Sequence, residues 1–195
     1  ATTSFTWQTP ATSPTNADTL VFRATFNEAV TGVSATDFAV TGTTATVTAV
    51  NAISGTVYDV MVSAGNLPSL SGAVSLDFAA SPTITDLAGN VLADTEPAVD
   101  ETYIVDNVAP TVIRTGPADG SLLGSGPSQI LVDFSEPMNQ TIVVLSPSDL
   151  TLGGVGRGSA AVTGATWVDA DTASFTIEGV WGTGQISVQF RGPNL

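Results

Sequence analysis

Three segments of this chain occur twice, in the same order and with the same chemistry. Phe26-Asn-Glu28-Ala-Val30 returns as Phe134-Ser-Glu136-Pro-Met138, Asp37-Phe-Ala-Val40 as Asp149-Leu-Thr-Leu152, and Val74-Ser-Leu-Asp-Phe78 as Ile186-Ser-Val-Gln-Phe190. The distance from first to last segment is nearly the same in both copies. A repeat of this kind means one structural unit present twice, and it constrains the fold more than any average property does.

Within each copy the hydrophobic period is two. Leu20, Phe22, Ala24 and Phe26 point one way while Val21, Arg23 and Thr25 point the other; Tyr58, Val60 and Val62 alternate with Asp59 and Met61. Such alternation marks half-buried antiparallel strands, and Gly, Pro, Asn and Asp punctuate them. The first copy is expected to hold strands near 4–8, 19–26, 37–41, 45–50, 56–62, 73–79 and 102–105. The second is expected to hold them near 111–115, 128–134, 149–152, 160–167, 172–177 and 185–190. The fold class is therefore all-β, two antiparallel sandwiches in tandem. Pro110 interrupts the sheet between them, which sets the domains at 1–108 and 109–195.

Seven strands are an odd number, so the chain should come in at one end of the first sandwich and leave at the other. The second copy has no counterpart of the loop around Asp86 or of strand 102–105. Its sandwich is expected to lack its last strand, leaving unpaired backbone groups beside an exposed strip of core along residues 185–190. Either the polypeptide continues past Leu195 and closes the sheet, or a strand from another copy fills it.

The run Leu20-Val-Phe-Arg-Ala-Thr-Phe-Asn-Glu-Ala-Val30, with Asp37-Phe38, Asp86-Leu-Ala-Gly-Asn90 and Asp106-Asn-Val-Ala-Pro110, resembles the bacterial Ig-like repeats strung along giant surface proteins and adhesins. The second copy is similar to the Ig-like modules of S-layer and secreted proteins. The resemblance implies two immunoglobulin-like sandwiches at the cell surface or outside the cell, acting as spacers or adhesive stalks. Their partners would be neighbouring Ig-like domains, further copies in self-assembly, or a host or glycan ligand.

Charge narrows the partners. Eighteen acids against four bases give a net charge of −14. The four bases, Arg23, Arg114, Arg157 and Arg191, are too scattered to displace phosphate counterions, which excludes nucleic acid and anionic membrane surfaces. No segment is apolar for long enough to cross a membrane as a helix. Ala1-Thr-Thr-Ser-Phe5 lacks the pattern of a secretory leader, so the chain is expected to begin inside a longer protein or after cleavage. The sequence contains no His, Cys or Lys. That removes the Ser-His-Asp triad, the thiolate nucleophile, the Schiff base and the Lys–Asn isopeptide crosslink. A paired-carboxylate mechanism remains, but it needs a cleft. The expectation is a non-catalytic chain.

Calcium is the sharpest binding expectation, because a hard cation needs carboxylates converging from several loops. Glu28, Asp86 and Asn90 should share one end of the first sandwich, and Asp106 and Asn107 in the linker should neighbour Glu136. The competing reading is turn chemistry, since Asp and Asn bond their own backbones. Asp169-Ala-Asp171 reads more simply as a hairpin turn than as a ligand pair. Asn139-Gln-Thr141 matches a glycosylation sequon and reads as accidental in a bacterial protein. Among the tryptophans Trp7, Trp167 and Trp181, Trp167 should pack in the core. Trp181, in a glycine-rich loop, is the candidate for stacking on a sugar ring, or else covers a core edge.

Overall fold

The computed structural model describes residues 3–93 and 95–191, and the chain divides into two compact units, Ala1–Val108 and Ala109–Leu195. The first unit contains β1 (Thr3–Thr9), β2 (Thr19–Phe26), β3 (Val30–Thr31), β4 (Phe38–Thr41), β5 (Thr46–Ala52), β6 (Val57–Ser63), β7 (Ser71–Phe78), β8 (Thr85–Asp86), β9 (Val99–Asp100) and β10 (Tyr103–Asp106). One sheet runs β5-β6-β2-β1-β9, a second runs β10-β7-β4, and β3 pairs with β8 alone. Pairing is antiparallel except between β1 and β9. The alternation of β2 is realised literally: Leu20, Phe22 and Ala24 are fully buried while Arg23 lies on the outer face. There Arg23 meets Asp59, its register partner on β6, through two hydrogen bonds of 2.8 and 3.0 Å.

Between the sheets, Phe5, Phe22, Val60, Leu76 and Tyr103 are all fully buried, and each such side chain is worth about 1.5–3 kcal/mol in burial. The Tyr103 ring stands edge-on to Phe22 at 4.9 Å. Its hydroxyl donates to the carbonyl of Pro10 or Val21 (2.6 and 3.0 Å) and accepts from the backbone N–H of Gln8 at 3.2 Å. One residue of the last strand thus ties the second sheet to β1 and β2 of the first.

The register fixes where the chain runs. Thr3 at the start of β1 lies opposite Phe26, and Thr25 lies opposite Val57, which defines an inlet end. β10 finishes at the other end: the Asn107 amide donates to Leu67 O at 2.6 Å and its N–H donates to Leu70 O at 2.8 Å. The first unit therefore receives the chain at one end and releases it at the opposite one, as the odd number of long strands required.

The second unit contains β11 (Val112–Gly116), β12 (Gln129–Phe134), β13 (Leu150–Gly153), β14 (Ala161–Trp167), β15 (Thr172–Glu178) and β16 (Ser187–Phe190). Its sheets are β11-β12-β15-β14 and β13-β16. β16 corresponds to β7, and among the described residues no strand plays the part of β10. As expected, the strip along residues 185–190 is partly uncovered: Ile186 is half-buried and Val188 is 45% exposed. Ile130 is 3% exposed and Phe175 is fully buried. Phe175 faces Ile130 across the ladder where the first unit places the smaller Val60 against Phe22. Phe190 then packs 5.6 Å from Phe134 and 6.0 Å from Phe175. The aromatic and aliphatic members of the ladder pair are exchanged between the units, and Phe190 packs against the rest of the second core.

A backbone device recurs in both units. Asp37 ends a 3₁₀ turn and accepts from the Ser34 N–H at 2.8 Å; Asp149 accepts from the Ser146 N–H at 2.7 Å in the same arrangement. Asp37 is 1% exposed. Burial opposes its charge, but hydrogen bonds from the Ser34 hydroxyl and from Thr83 and Ser34 N–H groups outweigh that, holding its carboxyl below the usual range. Thr83 belongs to the long loop after β7, so Asp37 also anchors that loop to the sheet.

Candidate functional site

At the inlet end of the first unit, Val30 pairs with Asp86 and Thr31 with Thr85, which brings the loop after β2 beside the loop after β7. Glu28 and the Asp86–Asn90 turn are therefore neighbours by topology, as the strand order implied. Glu28 is exposed. The Asp86 carboxylate is engaged within its own turn: Oδ1 accepts from the N–H groups of Ala88 and Asn90, both at 2.8 Å, and Oδ2 from the Asn90 amide at 2.7 Å. The Asn90 side chain first, then the backbone donors, hold its carboxyl below the usual range. Gly89, at φ +88°, makes the turn.

At the outlet end, Asp106 accepts from Val108 N–H at 3.3 Å, and the Asn107 amide reaches Asp18 at 3.4 Å besides Leu67. Asp106 and Asn107 belong to the first unit; Glu136 belongs to the second, half-buried after β12. Among the described residues no three acidic side chains converge as a metal would require. Turn chemistry likewise accounts for Asp169, whose Oδ1 accepts from Asp171 and Thr172 N–H groups at 3.1 and 2.8 Å.

Trp181 is not the exposed platform its glycine-rich loop implied. It is half-buried against the second core, its ring lies flush on the backbone of Gly126, and Nε1 donates to Pro127 O at 3.1 Å. Glycine at 126 makes room for it, and the ring covers a core edge. Trp167 packs 5.8 Å from Phe134 and donates to Val143 O at 3.3 Å. Its position carries a feature the sequence did not reveal: an open hollow of about 480 Å³ that it shares with Asn139, Gln140 and Asp169. The four are separated by nearly 30 positions and meet because the loop after β12 folds back on the β14–β15 turn, with Met138 N–H donating to Ala170 O at 2.8 Å.

The other feature of the second unit is the outer edge of β16. Val188 is 45% exposed, against full burial of its counterpart Leu76. Gly42 and Gly154 mark the matching inner edges: a Cβ at either would strike the carbonyl of Ala73 or Gln185 respectively, and both residues have positive φ.

No protein-family profile and no curated protein matches this chain. Among solved structures, that of Yersinia pseudotuberculosis InvD is similar at 17% identity with a TM-score of 0.41, covering 99% of this chain and 54% of that one. The chain thus spans about half the length of the structure it matches. A likeness this distant carries no argument, and the fold rests on the strands and cores described above.

Proposed function

We propose that the chain is a non-catalytic structural module, a pair of Ig-like sandwiches that spaces or extends a large bacterial surface or secreted protein. The observation that carries this reading is the path of the first unit: β1 starts at one end and β10 finishes at the other, so the domain transmits its chain from end to end rather than returning it. Tyr103 reinforces that path by tying the last strand to the first sheet. The absence of His, Cys and Lys from the sequence supports the non-catalytic part. Pulling the chain from its two termini tests the reading. A load-bearing pair unfolds in two separate events with length gains matching residues 1–108 and 109–195. Extension without resolved resistance overturns the role. Turnover of glycans, esters or peptides that is lost in Glu28→Gln or Glu136→Gln overturns the non-catalytic part.

The hollow at Trp167 favours a second reading, recognition of a glycan, because an aromatic ring flanked by amide and carboxylate side chains matches the chemistry of a sugar face and its hydroxyls. A glycan screen in which binding is lost with Gln140→Ala and with Trp167→Ala would move the reading from spacer to adhesion module.

A further inference from the structure

The hollow beside Trp167 is built by three segments of the second unit. Gln140 lies in the loop after β12, Trp167 closes β14, and Asp169 and Ala170 belong to the turn into β15. Two hydrogen bonds hold loop and turn together: Met138 N–H to Ala170 O at 2.8 Å, and Gln140 Nε2 to Asp169 O at 2.5 Å. The Trp167 indole N–H is committed to Val143 O at 3.3 Å, and its ring packs against Phe134. Wall and ring are thus positioned before any ligand arrives, which spares a ligand the entropy of ordering them.

Asp169 carries the formal charge among the side chains that line the hollow, and it is negative. Its Oδ1 accepts from the N–H groups of Asp171 and Thr172. These donors, Asp171 N–H first, hold its carboxyl below the usual range, so it stays ionised. The neighbouring Asp171 carboxyl is pushed up instead, by a hydrogen bond with the Asp169 side chain, by burial and by the Asp169 charge. Arg114 is committed to Asp133 at 2.6 Å, and among the described residues neither Asp169 nor Asp171 forms an ion pair with an arginine. Negative charge therefore stands beside an aromatic ring without a basic partner. Both features attract a cation, the carboxylate by its charge and the ring by its quadrupole.

We propose that the hollow takes an amino sugar with a free, protonated amine, in preference to N-acetylated or acidic sugars. The proposal rests on the glycan reading given above and specifies its ligand. An ammonium group offers three donors and no acceptor, which suits the Asp169 carboxylate and Gln140 Oε1. Acetylation removes that charge, and a uronic acid sets a like charge against Asp169, so both are selected against. A hollow of about 480 Å³ is roomy enough for a single sugar ring. The net charge of −14 acts in the same direction, since it concentrates cations and repels anions around the whole chain.

The probes are the methyl glycosides of glucosamine, N-acetylglucosamine and glucuronic acid, titrated into the isotope-labelled intact chain at about pH 6, where such amines are protonated. Amide shifts are expected at residues 138–140 and 167–170, with glucosamine bound about fivefold more tightly than its N-acetyl counterpart. Asp169→Asn keeps an Oδ1 acceptor for the turn and should erase that preference. Raising the salt to about 0.5 M should shrink it as well, which keeps the test valid if the variant disturbs the turn. Equal affinity for the three sugars overturns the proposal and leaves the glycan reading standing, whereas no binding at high millimolar concentration overturns both. Lysine amide bound as tightly as glucosamine overturns it in favour of a lysine side chain on a protein partner. Shifts scattered over both units and unaltered in Asp169→Asn mean attraction to net charge alone, and overturn it too.

Discussion

β7 and β16 hold equivalent places in equivalent sandwiches, pair in the same register with β4 and β13, and end on phenylalanines that pack in the two cores. Yet Val74 and Leu76 are fully buried, while Ile186 is half-buried and Val188 is 45% exposed. The side chains are alike; the difference is a neighbouring strand. Period-two alternation specifies which face of a strand is apolar, and only the topology decides whether that face is covered. The two units also solve their interiors differently. The first uses Tyr103, hydrogen-bonded across the sandwich, whereas the second has no tyrosine and sets Phe175 opposite Ile130 where the first sets Val60 opposite Phe22.

If that contrast is right, Tyr103→Ala should be the most damaging single change in the first unit and leave the second untouched. Loss of a fully buried ring together with its hydroxyl contacts is expected to cost about 4 kcal/mol. Denaturation resolved unit by unit, for example by hydrogen exchange, checks this; equal destabilisation of both units breaks the comparison. Gly42→Ala and Gly154→Ala probe what the units share. Each forces a Cβ onto a facing carbonyl at positive φ, so each should cost about 3 kcal/mol in its own unit. A marked inequality between the two would show that the edge beside Gly154, without a β10, can yield.

Alkali separates the units by a milder route. Burial, the largest influence, pushes the Tyr103 hydroxyl up to about 12 from its ordinary value of 10.0. The folded unit therefore prefers the neutral phenol, a contribution fully present below about pH 10 and lost as the pH climbs toward 12. Both tyrosines lie in the first unit, so a pH titration of stability should fall there across that window, and Tyr103→Phe should flatten the fall. Calcium should have the smallest effect. With the Asp86 oxygens already accepting from Ala88 and Asn90, millimolar calcium is expected to shift the first unit's melting midpoint by about a degree or less. A rise of several degrees that disappears in Asp86→Ala would support the loop as a metal site.

The long strands were legible because their buried and exposed residues alternate without interruption, as in Leu20 to Phe26. The two-residue strands β3, β8 and β9 were not, since Val30 opposite Asp86 depends on two loops meeting and leaves no local pattern. Ser34-x-x-Asp37 and Ser146-x-x-Asp149 could have been read as capping boxes, because the spacing itself carries that signal. Trp181 covers a core edge, one of the two roles its glycine-rich loop left open, and what decides between them is Gly126, remote in sequence, which lets the ring lie down. The hollow at Trp167 was invisible because its members meet only through the fold.

The tie at Tyr103 also sets the order of events when the chain is made. Trp7 N–H donates to Glu101 across 94 positions of sequence, and Gln8 N–H reaches Tyr103 across 95. Contacts so distant form late and slow folding. During synthesis from the N-terminus, β1 and β2 must wait, with Phe5 and Phe22 uncovered, until nearly the whole first unit has emerged. The excess of acids, expressed in the sequence as a net charge of −14, acts in that interval: like-charged nascent chains repel one another before either has buried its core.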